Sequence, residues 1–282
     1  MYPIGLSSCG KIITERLFAD YARAGIGVME ISPRANEYDA LNYGEIEALS
    51  QKYGIGLWSY HLPFAPFEEL DISSSALAQA TVVYLSELIR KGASIGIDKF
   101  VIHPSGEPIA DGERGERLLC AQNSLAELAE IAGRHGAILA VEDLPRTCLG
   151  RNAEEVEALV NAHEALRVCF DTNHLLSGDP VEFIHRLGDK IVTLHVSDYD
   201  FMNERHWLPG EGKVDWPAIF TALREVNYRG PWLYEISPEC PNTIFRDRNL
   251  VCEDFVANAK ALFAGEKPPI FSTPKPNLGM WG

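Results

Sequence analysis

The 282-residue sequence lacks any run of about 18 or more apolar residues, so no transmembrane helix is expected. Its opening segment, "MYPIGLSSCGKIITERLF", lacks the cationic stretch and apolar block of a secretion signal, and a cytoplasmic location is expected. It has no CxxC spacing. Cys9, Cys120, Cys148, Cys169, Cys240 and Cys252 are scattered and read as reduced thiols rather than as a disulfide framework. It has no Lys/Arg cluster. With 25 basic against 40 acidic residues the net charge is −15, which opposes binding to nucleic acid or to an anionic membrane. It also has no glycine-rich phosphate loop after its first strand-like run, where "SSCGKIITE" stands instead. That counts against an open, doubly wound nucleotide-binding sheet. No internal repeat beyond the strand-helix unit and no low-complexity block is present.

What the chain does have is alternation. Short apolar, β-branched runs at 4–8, 27–32, 55–61, 99–104, 138–144, 167–172, 191–197 and 232–237 read as strands. Amphipathic stretches such as "AQNSLAELAEIAGRHG" lie between them, several ending in Gly before the next strand. Asp215 is placed to cap a helix that has Pro217 in its first turn. Strand-helix alternation implies a parallel sheet, and eight units in about 250 residues predict a closed (β/α)8 TIM barrel. A single barrel domain over 1–264 is expected, followed by a Pro/Gly-rich extension over 265–282. The extension reads either as an arm onto a neighbouring subunit of a homo-oligomer or as a surface tail.

In such a barrel the C-terminal strand ends converge on one mouth. From the third strand to the eighth, each end carries a histidine or a carboxylate. These are His61, His103, Glu142, Asp171 (with His174 three residues on), His195 and Glu235. The segment after His195 adds Asp198, Asp200, Glu204, His206 and Glu211. Singly, a strand-end histidine reads as a hydrogen-bonded structural residue and a strand-end glutamate as an ion-paired rim residue. Jointly, Glu142, Asp171 and Glu235 sit in apolar strands, and burying three carboxylates together is costly unless a cation neutralises them. A divalent ion is the economical partner. Mostly oxygen ligands with one imidazole point first to Mn2+, with Mg2+ or Co2+ as alternatives, and more imidazoles shift the balance toward Zn2+.

The motifs "VIHPSG", "AVEDLP", "CFDTNH", "TLHVSD", "HWLPGEGKVDW" and "YEIS" resemble the xylose isomerase-like TIM-barrel superfamily, and within it the sugar-phosphate isomerase/epimerase group. The resemblance spans roughly residues 1 to 262. It is similar to ketose 3-epimerases, hydroxypyruvate isomerases and inosose dehydratases, and more distantly to endonuclease IV. It implies one metal held by Glu142, Asp171, His195 and Glu235. It also implies that His174 contacts substrate oxygens and that the loop Pro209 to Gly212 shapes the mouth. The chain departs from the 3-epimerases at position 201, where Phe201 stands and the nearest arginine is Arg205. Endonuclease IV is a three-zinc enzyme whose further histidines match His61 and His103, and whose acidic-Arg-His motif matches Glu204 to His206. The charge of −15 leaves little room for a DNA-binding face, and the same residues can line a sugar pocket.

The chemistry expected is that of a metal-dependent isomerase or epimerase of a small sugar, sugar phosphate or polyol. Removing a proton beside a carbonyl requires stabilisation of the enediolate, which a metal supplies as a Lewis acid, and two carboxylates can act as base and acid. Glu142 and Glu235 are the expected catalytic pair. His61, His103, His174, Glu204, His206 and Trp207 are the expected substrate-binding residues. Trp58, Tyr60, Phe64, Phe67 and Trp216 are read as further aromatic wall or as ordinary packing, with Phe64 and Phe67 on a loop that can close as a lid. Arg146, Arg151 and Arg205 are the arginines available to a phosphate group. The alternatives are a zinc-dependent phosphodiesterase, an inosose-type dehydratase, and a barrel that binds without catalysis.

Overall fold

The computed structural model describes residues 1–64 and 69–279. Eight parallel strands run in the order 7-6-5-4-3-2-1-8. They are β1 (Ile4–Ser7), β2 (Val28–Ile31), β3 (Gly56–His61), β4 (Lys99–Ile102), β5 (Ile138–Glu142), β6 (Arg167–Asp171), β7 (Ile191–His195) and β8 (Trp232–Tyr234). β1 pairs with both β2 and β8, so the sheet curls round rather than lying open. Among the described residues β7 and β8 meet through one bridge, Val196 to Tyr234. There the Val196 N–H donates to the Leu233 carbonyl at 2.8 Å. A helix follows each strand: α1 (Glu15–Ala24), α2 (Tyr43–Tyr53), α3 (Ala78–Ala93), α4 (Arg114–Arg134), α5 (Ala153–Val160), α6 (Pro180–Leu187), α7 (Trp216–Glu225) and α8 (Cys252–Phe263). The (β/α)8 expectation therefore holds. So does the start of α7, where the Asp215 side chain accepts from the Ala218 N–H.

Strand side chains alternate between the two faces of the sheet. One set, including Leu6, Met29, Tyr60, Phe100, Val141, Phe170 and Leu194, packs outward against the helices in the main core. Each such fully buried side chain contributes about 1.5–3 kcal/mol of transfer free energy. The other set points into the barrel and is small: Ser59, Val101, Ala140, Cys169 and Thr193 are all buried there. Two residues farther along the same strands, the same face carries His61, His103, Glu142, Asp171 and His195. The two-residue repeat of a strand thus puts the polar residues in one layer, above a layer of small side chains.

The segment after α8 turns back on its own chain. β10 (Ser272–Pro274) pairs antiparallel with β9 (Ile244–Arg246). Glu211 anchors this ribbon to the β7–α7 loop. Its carboxylate accepts from the Phe271 N–H at 3.1 Å and pairs with Arg246 at 3.2 Å, with both side chains buried. Gly210, at φ +96°, lets Pro268 lie against the loop, since a Cβ there would meet Pro268 Cγ at 2.6 Å. The described part of the extension is therefore laid over the barrel. No described helix is long and apolar enough to cross a membrane.

Candidate metal centre and active site

Register brings the polar strand ends together. Asp171 and His195 are paired neighbours on β6 and β7, and Glu142 lies beside Cys169 on β6. His195 Nδ1 lies 2.9 Å from Glu142 Oε1, 3.5 Å from Glu235 Oε2 and 4.0 Å from Asp171 Oδ2. Donors held about 2.1 Å from a common ion are separated by roughly 3 to 4 Å, a spacing that the three contacts of His195 Nδ1 meet. The other atoms of the same side chains are engaged elsewhere. Asp171 Oδ1 accepts from the Asn173 N–H at 2.7 Å, while Asp171 Oδ2 is buried without a hydrogen-bond partner. A buried carboxylate oxygen with no hydrogen bond, 3.7 Å from His174 Nε2 and 4.0 Å from His195 Nδ1, fits a cation, because burying it is costly.

The histidines of β3 and β4 lean on the same carboxylate. His61 Nε2 and His103 Nε2 each lie 3.2 Å from Glu142 Oε2. His174 lies on the turn after β6. Its Nδ1–H donates to the Asp143 carbonyl at 2.7 Å, which leaves Nε2 3.1 Å from Glu204 Oε2 and 3.7 Å from Asp171 Oδ2. His206 donates through Nδ1 to the Glu235 carbonyl at 3.1 Å. Two further groups of metal-capable atoms result, His174–Glu204–His206 and Glu142–Asp171–His174, beside His61–Glu142–His195–Glu235.

These contacts shift the ionisation of the cluster. Burial opposes the charge on Glu142, but His195 and His103 prevail and hold its carboxyl well below the usual range. Burial raises Asp171 and Glu235, and the neighbouring Glu142 carboxylate adds to both. Burial opposes the imidazolium of His195, yet the surrounding anionic groups raise it well above the ordinary value. His61 is likewise raised to about 9 by Glu142, against the effect of burial.

A cavity of about 480 Å³ opens above this layer. His61, His103, Glu142, His174, Glu204, His206 and Glu235 all line it, and Phe64 stacks on His103 with ring centroids 3.9 Å apart. Arg146 lines the cavity too, joined to Glu107 and Glu204.

Trp207 is not brought there. Its strand-like bridge to Asp198 turns the indole away, where it is buried and donates to Thr243 Oγ1 at 2.9 Å. Trp58 is spent low in the barrel, donating to Thr193 with Lys99 over its ring. Trp216 donates to Asp198 behind the loop, and Tyr60 faces α2, where it meets Tyr43. Phe67 lies outside the described residues. Arg205 pairs with Asp200 and with the Gly279 carbonyl, and Arg151 lies beside Glu155. Of the five metal-capable residues at 198–211, three serve structure. Asp198 accepts from Trp216 and from the Tyr199, Gly210 and Val214 backbone, Asp200 pairs with Arg205, and Glu211 holds the ribbon.

Sequence reasoning missed Glu30. It is the last residue but one of β2, is fully buried, and its Oε2 lies 3.0 Å from His195 Nε2 and 2.8 Å from Ser59 Oγ. With Nε2–H donated to Glu30, His195 presents Nδ1 to the three carboxylates. The available signal was the same as elsewhere: "VMEIS" places a glutamate in an apolar strand near its end.

The fold and this mouth define a class of barrel, and comparison with known proteins agrees. A profile described as xylose isomerase-like TIM barrel matches residues 18–250, and the chain belongs to that family. An uncharacterized protein of Methanocaldococcus jannaschii is 25% identical over 239 residues, covering 81% of this chain and 78% of its own. The fructoselysine 3-epimerase of Escherichia coli O157:H7 is 24% identical over 252 residues, covering 80% and 87%. A crystal structure of a D-tagatose 3-epimerase-like protein superposes with a TM-score of 0.74 at 24% identity, over 83% of this chain and 90% of that one.

Proposed function

We propose that this protein is a divalent-metal-dependent isomerase or epimerase of a small sugar, sugar phosphate or polyol. The observation that carries the reading is the convergence of His195 Nδ1, Glu142, Asp171 and Glu235 with one buried carboxylate oxygen left unpartnered. The sugar 3-epimerases among its relatives support it. The four residues would hold the ion, with Mn2+ as the first candidate. When bound, the ion supplies Lewis-acid stabilisation of charge on adjacent carbonyl and hydroxyl oxygens.

The chain's own groups do the rest. Glu142 and Glu235 reach the cavity from β5 and from the end of β8, so a sugar carbon between them meets a carboxylate on either side. One takes the proton beside the carbonyl, and the other, protonated at the start, delivers its own to the second carbon or to the opposite face. His174, fixed through Nδ1 by the Asp143 carbonyl, presents Nε2 to substrate hydroxyls. His61, His103, Glu204 and His206 complete the polar wall, and Phe64 gives the cavity an apolar side that excludes water.

Metal analysis of protein purified without chelators tests this, together with Glu142→Gln and Glu235→Gln. One divalent ion per chain, weakened or lost in both variants, is expected, followed by solvent-deuterium exchange into a ketose, aldose or inosose. Three zinc ions per chain would redirect the work to abasic DNA and the phosphodiesterase reading. Absence of metal would overturn the proposal.

A further inference from the structure

The mouth has a second lobe. A cavity of about 780 Å³ lies between the ends of β1, β2 and β8. It shares Phe64, His206 and Glu235 with the cavity above the metal-capable cluster, so the two adjoin at the proposed acid-base residue. The chemistry of the two lobes differs. The first is walled by histidines and carboxylates, as a hydroxyl-rich sugar requires. The second is walled by Pro33, Pro63, Pro241, Tyr38, Phe64 and Cys9.

The accessible surface of that second wall is mostly apolar. Prolines carry no N–H. The Tyr38 hydroxyl is already given to the His61 carbonyl at 2.9 Å. The Cys9 thiol is buried and pushed up to about 12, so it stays neutral. The polar side chains Ser32, Arg34, Asn36, Arg205, Ser237 and Glu239 also line the lobe, besides the shared His206 and Glu235. Arg34 donates through Nε to the Gly10 carbonyl at 2.8 Å, Arg205 to Asp200 and the Gly279 carbonyl, and Ser237 to Glu239. A second sugar ring placed here would lay much of its hydroxylated surface against apolar wall, whereas an apolar group would gain burial there.

We infer that the substrate is a substituted sugar or polyol, with its hydroxylated part over the metal-capable cluster and an apolar substituent in the Pro33–Tyr38–Phe64 lobe. This rests on the proposed function and narrows its substrate class from free monosaccharides to conjugates.

The test compares ketohexoses with their 1-O-benzyl ethers on the metal-loaded protein, by calorimetric binding and solvent-deuterium exchange. The benzyl ether of at least one ketohexose is expected to bind about tenfold or more tightly than the free sugar. Asn36→Trp, which puts a ring into the lobe from outside the proposed catalytic groups, is expected to abolish that gain and leave free-sugar affinity unchanged. Exchange into free ketohexoses without any gain from the benzyl group would overturn the inference and leave the proposed function standing. A gain that survives Asn36→Trp would also overturn it, since the benzyl group would then sit elsewhere. No exchange into either member of any pair would overturn the proposed function and this inference with it.

Discussion

Glu30 shows how much a single side chain decides in this site. Its carboxylate faces the Nε2 of His195 at 3.0 Å and receives the Ser59 hydroxyl at 2.8 Å. Carboxylates behind a ligating imidazole fix its tautomer and raise its basicity, and removing one costs about 10- to 100-fold in metal affinity. Glu30→Gln is therefore expected to weaken divalent-ion binding by that factor with little change in circular dichroism, measured by competition with a chromogenic chelator. Ionisation gives a second expectation. Asp171, Glu235 and His195 all hold their protons to higher pH than usual in the metal-free protein. Ligation needs them deprotonated, so binding releases protons. Affinity should therefore rise as the pH rises through their raised ionisation ranges, and calorimetry in buffers of different ionisation enthalpy should register the release. The ligand-like residues were legible because a charge in an apolar strand is conspicuous. Glu30, set in the apolar run "VMEIS", obeys the same rule. Trp207 misled for the opposite reason: position in a polar loop says nothing about which way an indole turns, and that is set by its bridge to Asp198.

The β7–α7 loop is where sequence and structure part most. Its density of acidic residues suggests ligands throughout, yet Asp198 is an organiser whose carboxylate gathers one indole and three backbone N–H groups. Side-chain type alone does not distinguish a carboxylate that gathers backbone N–H groups from one that faces the cavity. The difference lies in where the chain folds back, which is a non-local matter. Asp198→Ala leaves these donors unpaired, each at about 1–3 kcal/mol, with some relief from water. A loss of about 2–4 kcal/mol in urea unfolding is expected, with poorer substrate binding, because Glu204 and His206 ride on the same loop. The strands themselves were legible to within one residue at their starts and three at their ends. β5, β6 and β7 end at Glu142, Asp171 and His195, where the alternation of inward and outward side chains meets the mouth.

At the scale of the whole molecule, the barrel was readable from eight repeats of one unit, but the return of the extension was not. "STP" at 272–274 has no apolar pattern announcing a partner, and its pairing with "IFR" at 244–246 depends on the Glu211–Arg246 anchor. Removing residues 268–282 would take the Phe271 N–H from Glu211 and expose Arg246. A lower thermal midpoint is expected, by about 2–4 °C for each kcal/mol lost, measured by calorimetry at matched metal content.

The junction between the seventh and eighth strands has a consequence of its own. The cylinder is laced there by one bridge, and His195 and Glu235 stand on opposite sides of it. An ion gripped by both would be a stitch drawn through that gap. The free energy of metal capture would then be spent in part on closing the protein, and the cohesion of the last unit would rise and fall with the supply of metal.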